Sequence, residues 1–135
     1  MYDNILVPVV FDEGHDTEAS VKVGLTLANE AAEFTVLHVM DAIPAYVSSQ
    51  IPADVLARSH EDIDHHLSEW AGRLPGSMTA LVSGHPGNTI VDYADNHDID
   101  CIVLASHKPG LENFFLGSTA DRVVRHAKCS VHVIR

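Results

Sequence analysis

The chain has 135 residues, 46% hydrophobic and 20% charged, which indicates one globular domain over residues 1–135 and excludes an intrinsically disordered protein. The net charge of −11 excludes a general nucleic-acid binder, because such a protein needs a basic face to neutralise phosphates, and two cysteines exclude a disulfide framework. No apolar run approaches the roughly 20 residues that span a bilayer, and the first residues lack the features of a secretory signal, so we expect a cytoplasmic protein that binds neither nucleic acid nor membrane.

The first elements along the chain are a strand, a helix and a second strand. Residues 5–10 form an apolar, β-branched run, which is typical of a strand buried on both faces. A helix should follow, with Asp16 or Thr17 as N-cap and an apolar face made by Ala19, Val23, Leu27 and Ala31. Residues 35–40 predict the second buried strand, in which we expect His38 to be a hydrogen-bonded packing residue.

The middle of the chain predicts a loop, a long helix and a third strand. Residues 41–52 contain two prolines and show no periodicity, so we expect a loop there. The helix should run from residue 53 to 74, with one apolar stripe made by Leu56, Ile63, Leu67, Trp70 and Leu74. Residues 78–82 predict the third strand.

The last part of the chain continues the alternation of strands and helices. A turn at Gly84 leads to a helix that carries Ile90, Tyr93 and Ala94, and residues 101–105 predict a fourth buried strand. A helix at about 118–128 and a strand at 130–135 follow. Alternation of helices with apolar strands predicts an α/β fold, a doubly wound parallel sheet with helices on both faces.

Three segments lie where such a sheet binds ligands, beyond the carboxyl ends of its strands. They are residues 8–12, 39–42 and 105–118. The third segment enters a helix through Gly117-Ser118-Thr119, and the free N–H groups and dipole of a helix start can bind a phosphate. His107 and Lys108 would add positive charge and donors above that start.

The same segment has an ordinary structural explanation. Ser118 and Asp121 have the spacing of a capping box, so Gly-Ser-Thr could do no more than begin the helix. The segment is neither a Walker loop, which needs Gly-Lys-Ser/Thr, nor a dinucleotide fingerprint. Phosphate binding and plain capping therefore both stay open on spacing alone.

Metal binding and catalysis have weaker support. His60, His65 and His66 share a predicted helix with acidic residues, but no His-x3-His pair occurs and His60 falls on the apolar stripe, so we expect no metal site. Ser118 and His107 could be imagined as nucleophile and base. Because no carboxylate is spaced to orient the histidine and no nucleophile elbow occurs, we expect no catalytic residues.

Several motifs, in order and over the whole chain, resemble the universal stress protein family. The matching segments are Ile5-Leu6-Val7-Pro8-Val9, Leu37-His38-Val39, Val82-Ser83-Gly84-His85-Pro86, Ala105-Ser106-His107-Lys108-Pro109 and Leu116-Gly117-Ser118-Thr119-Ala120. The last two are the most specific and are similar to the branch with a short Ser-His-basic-Pro loop and a Leu-Gly-Ser turn. The resemblance implies a Rossmann-like five-stranded parallel sheet of order 3-2-1-4-5. It also implies ATP, with or without Mg²⁺, at the junction of strands one and four.

The family pattern is carried over residue by residue. Nucleotide-binding members wrap the phosphates with a Gly-x-x-Gly-x9-Gly-Ser/Thr loop, whose last Gly-Ser matches Gly117 and Ser118. Ala105 and Lys108 stand at its two earlier glycines, and the loop is one residue shorter. The implied cofactor site comprises Pro8, Val9, Val10, Asp12, Val39, Ala105, Ser106, His107, Lys108, Gly117, Ser118 and Thr119.

The base contacts depart from the family pattern at one position. Binders typically carry Asp two residues after the strand-one proline, where it accepts from the adenine; this chain has Val10 there, and Asp12 is the nearest substitute. The backbone of Val39 matches the family's other base contact and survives any side chain.

The resemblance implies a cytoplasmic, dimeric, ATP-binding regulatory module of the stress response that is not an enzyme. A nucleotide-free dimeric scaffold of the same fold is the first alternative, favoured by Val10 and Ala105. A slow ATP-hydrolysing or autophosphorylating enzyme is the second. In the implied strand order, residues 130–135 form a short β-branched edge strand, which predicts a homodimer through antiparallel pairing about a twofold axis.

Overall fold

The structure is a computed structural model that describes residues 1–10, 16–106 and 117–135. The strands in these ranges are β1 (Tyr2–Pro8), β2 (Ala28–Met40), β3 (Ser77–Ser83), β4 (Cys101–Ala105) and β5 (Ser130–Ile134). The helices are α1 (Thr17–Leu27), α2 (Ala45–Ser48), α3 (Ala53–Ala71), α4 (Pro86–Asn96) and α5 (Ser118–His126). The predicted site residues Asp12, His107 and Lys108 lie outside the described residues.

The strands form one parallel sheet in the order β3-β2-β1-β4-β5, as the family resemblance implied. One face packs against α1 and α3, and the other packs against α4 and α5. The prediction of a doubly wound α/β fold is therefore confirmed. Because β1 is the central strand and β4 lies beside it, the strand order reverses between these two strands.

The central strands are buried on both faces, as their apolar runs predicted. Ile5, Leu6 and Val7 of β1 are wholly inaccessible, and residues Cys101 to Leu104 of β4 are buried. Side chains alternate across the sheet, so Ile5 and Val7 join the core under α1 and α3 whereas Leu6 joins the core under α4 and α5. A strand buried in this way brings its last residues to a fixed position at the edge of the sheet.

The predicted apolar face of the first helix is wrong at its end. Asp16 caps α1 as predicted, with its carboxylate accepting the Ala19 N–H at 2.9 Å, but the helix ends at Leu27. Ala31 lies in β2 and is exposed, and the residues that α1 buries are Thr17, Ser20, Val21 and Gly24. The chain leaves the helix because Ala28 pairs with Tyr2 at the start of the sheet and, after a register shift, Glu33 pairs with Asn4. These two tertiary pairings override the helical preference of the alanines and glutamates between them.

Smaller differences occur in the middle of the chain. The predicted loop contains one helical turn, α2, and α3 ends at Ala71 rather than at residue 74. His60 is exposed, so it is not part of the buried stripe, which at the end of this segment consists of Leu67, Ala71 and Leu74. None of the helices in the described ranges is long and apolar enough to cross a membrane.

Two local features fix the ends of the sheet. At the carboxyl end, Gly84 adopts a φ of +150°, and a Cβ there would lie 2.5 Å from Thr89 Oγ1, so the turn into α4 requires glycine. At the amino end, the Asp100 carboxylate accepts the backbone N–H groups of Asp3 at 2.8 Å and Asn4 at 3.0 Å. This carboxylate joins the starts of β1 and β4, and thereby holds together the two strands between which the strand order reverses.

Candidate functional site

A cleft of about 680 Å³ lies at the carboxyl ends of β1, β2 and β4. It is lined by every predicted site residue that the structure describes, namely Pro8, Val9, Val10, Val39, Ala105, Ser106, Gly117, Ser118 and Thr119. The topology brings these residues together from four separate stretches of chain. Asp12, His107 and Lys108, the remaining members of the predicted set, are outside the described ranges.

Sequence reasoning missed the cleft residues that come from the starts of α1 and α4. Thr17 and Ser20 of α1 and Pro86 and Ile90 of α4 also line the cleft. Their positions follow from topology alone, because the helix after each parallel strand begins at the carboxyl end of the sheet. The first residues of each helix could therefore have been predicted to line the site, although no sequence motif marks them.

The start of α5 presents to the cleft backbone donors that have no partner among the described residues. Its first helical hydrogen bond runs from the Asp121 N–H to the Gly117 carbonyl at 2.9 Å, so the N–H groups of Ser118, Thr119 and Ala120 precede the intrahelical ladder. Gly117 is the N-cap and supplies no side-chain acceptor. By contrast, the Asp16 carboxylate already caps α1. Of these two helix starts, α5 is the one that no side chain of the described residues caps, so its N–H groups and dipole favour an anion.

The capping box predicted at the start of α5 does not form. Ser118 is the first residue of the helix rather than its cap, and the Asp121 carboxylate accepts from Arg125 Nε at 3.0 Å. Gly117 has φ −58° and ψ 155°, a conformation open to any residue. Glycine at this position is therefore not required by backbone geometry, but it leaves the approach to the helix start free of a side chain.

The opposite side of the cleft is formed by the ends of β1 and β2. The Val9 N–H donates to the Leu37 carbonyl at 2.8 Å, and His38 Nδ1 lies 2.9 Å from the Val9 carbonyl oxygen, which makes His38 a hydrogen-bonded residue as predicted. Backbone groups alternate in direction along a strand, so Val39, like Leu37, directs its N–H and carbonyl toward the β1 side. Among the described residues neither group of Val39 has a backbone partner on that side, and Val39 lines the cleft.

Charged side chains are sparse among the described lining residues. Asp41 is the carboxylate, and no lysine or arginine occurs among them. Val10, 42% exposed, places an apolar side chain where the family pattern has an acid. The described part of the cleft therefore offers backbone groups and hydroxyl side chains, rather than lysine or arginine, for contacts with an anion.

The described residues do not assemble obvious catalytic or metal chemistry. Within residues 1–10, 16–106 and 117–135, no group of three His, Cys, Asp or Glu side chains could hold a metal ion. Burial raises the pKa of the Cys101 thiol to about 11, with a further contribution from the charge of Asp100, so this thiol is a poor nucleophile. Cys101 also begins β4, at the end of the strand away from the cleft.

Curated relatives match the full length of the chain. The chain is 29% identical over 147 residues to the universal stress protein MJ0531 of Methanocaldococcus jannaschii, covering all of this chain and 83% of that protein. It is 27% identical to universal stress protein G of Escherichia coli O157:H7, and all of both chains is covered.

Solved structures share the fold. Universal stress protein UspA from Lactobacillus plantarum is 32% identical, with a TM-score of 0.73 over 99% of this chain and 98% of that one. The hypothetical protein MJ0577 superposes with a TM-score of 0.81 at 24% identity, over 99% and 96% of the two chains.

Three more distant structures hold nucleotides. They are a universal stress protein with cAMP (18% identical, TM-score 0.68, 99% and 97% covered), one from Arabidopsis thaliana with AMP (17%, 0.64, 98% and 90%), and one from Archaeoglobus fulgidus with dAMP (18%, 0.62, 99% and 98%). At these identities they establish a common fold.

The profile of the Universal stress protein family matches residues 1–135. This match agrees with the strand order, the position of the cleft and the curated relatives. The chain belongs to the universal stress protein family.

Proposed function

We propose that this protein is a cytoplasmic regulatory module of the stress response that binds an adenine nucleotide, ATP, in the cleft and acts as a homodimer. One observation carries the proposal: the open start of α5 and the cleft-facing peptide groups of Val39 lie on two sides of the same cleft. The N–H groups at the start of α5 suit a phosphate, and the peptide groups of Val39 suit a base. A nucleotide is a small ligand that carries both a phosphate and a base.

The base would be held mainly by backbone. An N–H donor and a carbonyl acceptor on one residue, Val39, complement the acceptor and donor that adenine carries side by side on its pairing edge. Apolar lining residues, including Val9 and Leu37, suit the faces of an aromatic ring. The AMP, dAMP and cAMP held by related folds support an adenine ligand.

The phosphates would lie at the start of α5. The N–H groups of Ser118 to Ala120 and the helix dipole favour an anion there, and the Ser118 hydroxyl can donate a further hydrogen bond. Mg²⁺ would accompany the triphosphate, since it usually keeps several waters and needs few protein ligands. Related structures hold monophosphates, so ATP in particular rests on the family resemblance.

We expect binding rather than turnover. Phosphoryl transfer relies on positioned cations around the phosphates and on a group that orients the nucleophile. The described cleft residues contribute neither lysine nor arginine, and their carboxylate, Asp41, follows the strand that carries Val39. A regulatory role needs only that the nucleotide be bound and released.

The homodimer would form through β5, the sheet edge. The Ser106 N–H donates to the Ile134 carbonyl at 2.7 Å, so Ser130, His132 and Ile134 direct their backbone groups toward β4. Val131 and Val133 therefore direct theirs away from the sheet. An antiparallel copy of β5 would pair with those outward groups, which is the isologous solution for two identical edges.

The test is whether the protein carries or binds nucleotide. The purified protein is denatured, released small molecules are identified by mass spectrometry, and ATP, AMP and adenosine are titrated calorimetrically into nucleotide-free protein. We expect binding of ATP with unchanged nucleotide after long incubation. Absence of binding by all three compounds would overturn the proposal, and stoichiometric ADP formation would point to the enzyme.

A nucleotide-free scaffold is the second candidate, and Val10 and Ala105 favour it. Val10 cannot accept a hydrogen bond from the base as the aspartate of the family pattern does, and Ala105 adds a methyl group where that pattern has glycine. If this candidate holds, the dimer persists in light scattering while calorimetry detects no nucleotide.

A further inference from the structure

The side chain of His38 bonds to a carbonyl group that the β1–β2 ladder would otherwise use. Its Nδ1 lies 2.9 Å from the carbonyl oxygen of Val9, the first residue after β1. A carbonyl oxygen can only accept, so Nδ1 carries the hydrogen and donates it. His38 is half-buried and belongs to the lining of the cleft.

The register of the β1–β2 ladder shows what this bond replaces. Pro8 pairs with Leu37, and the Val9 N–H donates to the Leu37 carbonyl at 2.8 Å. In a continuing parallel ladder, the next bond would run from the Val39 N–H to the Val9 carbonyl. Across this edge, among residues 1–10, 16–106 and 117–135, the Val9 carbonyl accepts from His38 and not from Val39.

We infer that His38 is a positioning residue that keeps the peptide groups of Val39 available for the ligand's base. By occupying the Val9 carbonyl, the imidazole ends the β1–β2 ladder one bond early and leaves the Val39 N–H facing the cleft. It also anchors Val9, so the end of β1 keeps its distance from β2. This inference rests on the proposed function for its ligand, a heteroaromatic base that presents an acceptor beside a donor.

Two substitutions separate the donor from the shape of the side chain. His38→Asn places an amide N–H close to the position of Nδ1, so it should keep the bond to Val9. His38→Leu fills similar space without a donor, which frees the Val9 carbonyl to pair with the Val39 N–H. His38→Gln, whose amide lies one bond farther out, is a polar variant for use if the leucine variant does not fold.

The first measurement needs no ligand. Amide hydrogen exchange is followed at Val39 and, as control, at Val9, whose N–H donates to the Leu37 carbonyl and involves no atom of the His38 side chain. We expect Val39 to exchange at least about tenfold more slowly in His38→Leu or His38→Gln than in the wild type and in His38→Asn. Equal exchange of Val39 in all proteins would overturn the inference even if the protein binds no nucleotide.

The second measurement uses ATP, adenosine and tripolyphosphate as probes. His38→Leu or His38→Gln should weaken ATP and adenosine by a similar factor, about five- to tenfold, the value of one hydrogen bond. Tripolyphosphate binding should not change, and His38→Asn should match the wild type. Unchanged adenosine affinity in the leucine and glutamine variants would overturn the positioning role, whereas failure of the wild type to bind ATP would overturn the proposed function instead.

Discussion

The α-carbon of Gly87 lies against the side chain of Arg122, so closely that a Cβ on Gly87 would be 2.7 Å from Arg122 Cγ and 2.8 Å from its Cβ. This contact brings the first turn of α4 against α5 near the cleft. Arg122 Nε also donates to Asn88 Oδ1 at 2.6 Å, which orients the arginine along α4. The two helices can approach only because residue 87 has no side chain.

We therefore expect Gly87→Ala to destabilise the protein by about 1–3 kcal/mol, the usual cost of overpacking. Gly24→Ala is the matched control in another helix, because its Cβ would make ordinary contacts of 3.7 Å with Phe34 and Val7. That control should stabilise by about 0.5–1 kcal/mol through helix propensity. Urea unfolding measures the free energy of unfolding of both variants. Equal values would show that α5 can shift to make room for the new side chain at little cost.

Gly117→Val tests the phosphate position. The backbone conformation of Gly117 suits valine, so the fold should survive while the new side chain enters the cleft at the start of α5. We expect ATP affinity to fall by about tenfold to a hundredfold, from a steric cost of about 1–3 kcal/mol. Ser118→Ala should cost less, because the backbone donors remain. Calorimetry with unchanged affinity for Gly117→Val would place the phosphates elsewhere.

Val10→Asp tests how the base is recognised. With Val10 the wild type should discriminate weakly between ATP and GTP. An added carboxylate that accepts from adenine is worth about 1.5–3 kcal/mol, so Val10→Asp should gain roughly tenfold to a hundredfold in preference for ATP. Val10→Asn controls for size. If competition binding already gives the wild type a preference well beyond roughly a hundredfold, the result would point to Asp12 as the residue that replaces the missing acid.

Val133→Pro tests the dimer without disturbing the sheet. The Val133 N–H is directed away from β4, so proline there removes a donor from the outer edge only. We expect a folded monomer of 14.7 kDa in light scattering, against twice that mass for the wild type. His132→Pro, which removes an N–H directed toward β4, should destabilise the fold itself. A wild-type mass near 14.7 kDa at micromolar concentration would contradict the dimer.

Cys101 gives a prediction for alkaline pH. Burial, with a smaller contribution from Asp100, raises the pKa of its thiol from 9.0 to about 11. The unfolded chain therefore loses this proton first, so the free energy of unfolding should fall as pH rises from about 9 to about 11 and be unaffected by this group below pH 9. Cys101→Ala should lack that part of the decline in denaturant titrations. If the free energy of unfolding falls equally with pH in the wild type and in Cys101→Ala, the decline does not come from the Cys101 thiol.

Apolar patterns predicted the fold because the central strands are buried on both faces. Residues 101–105 were predicted with their observed bounds, since five apolar residues between polar flanks are too short for a typical helix and suit a strand buried on both faces. The start of β2 could not be predicted, because Asn29 to Glu33 favour a helix, whereas the chain pairs with β1 at Ala28 and, after a register shift, again at Glu33. The helical preference of this segment is overridden there by pairing with β1, a strand that is distant in the sequence.

The site was predicted unevenly for a similar reason. Gly117 to Thr119 carry a local motif, whereas Thr17 and Pro86 reach the cleft through topology alone. The capping box at Ser118 failed because the chain enters α5 one residue earlier, with Gly117 as its cap. The role inferred for His38 depends on register, which no local pattern encodes.

The carboxylate of Asp100, which joins the starts of β1 and β4, has a consequence for how the protein folds. It bonds to Asn4 across 96 residues, so β1 leaves the ribosome first but gains its second neighbour only when β4 has been made. Contacts between such distant residues slow folding, because the entropy of closing the loop is lost before the pairing is formed. During synthesis one flank of this central strand therefore stays unpaired until β4 has been made, which is the interval in which a chaperone would protect it.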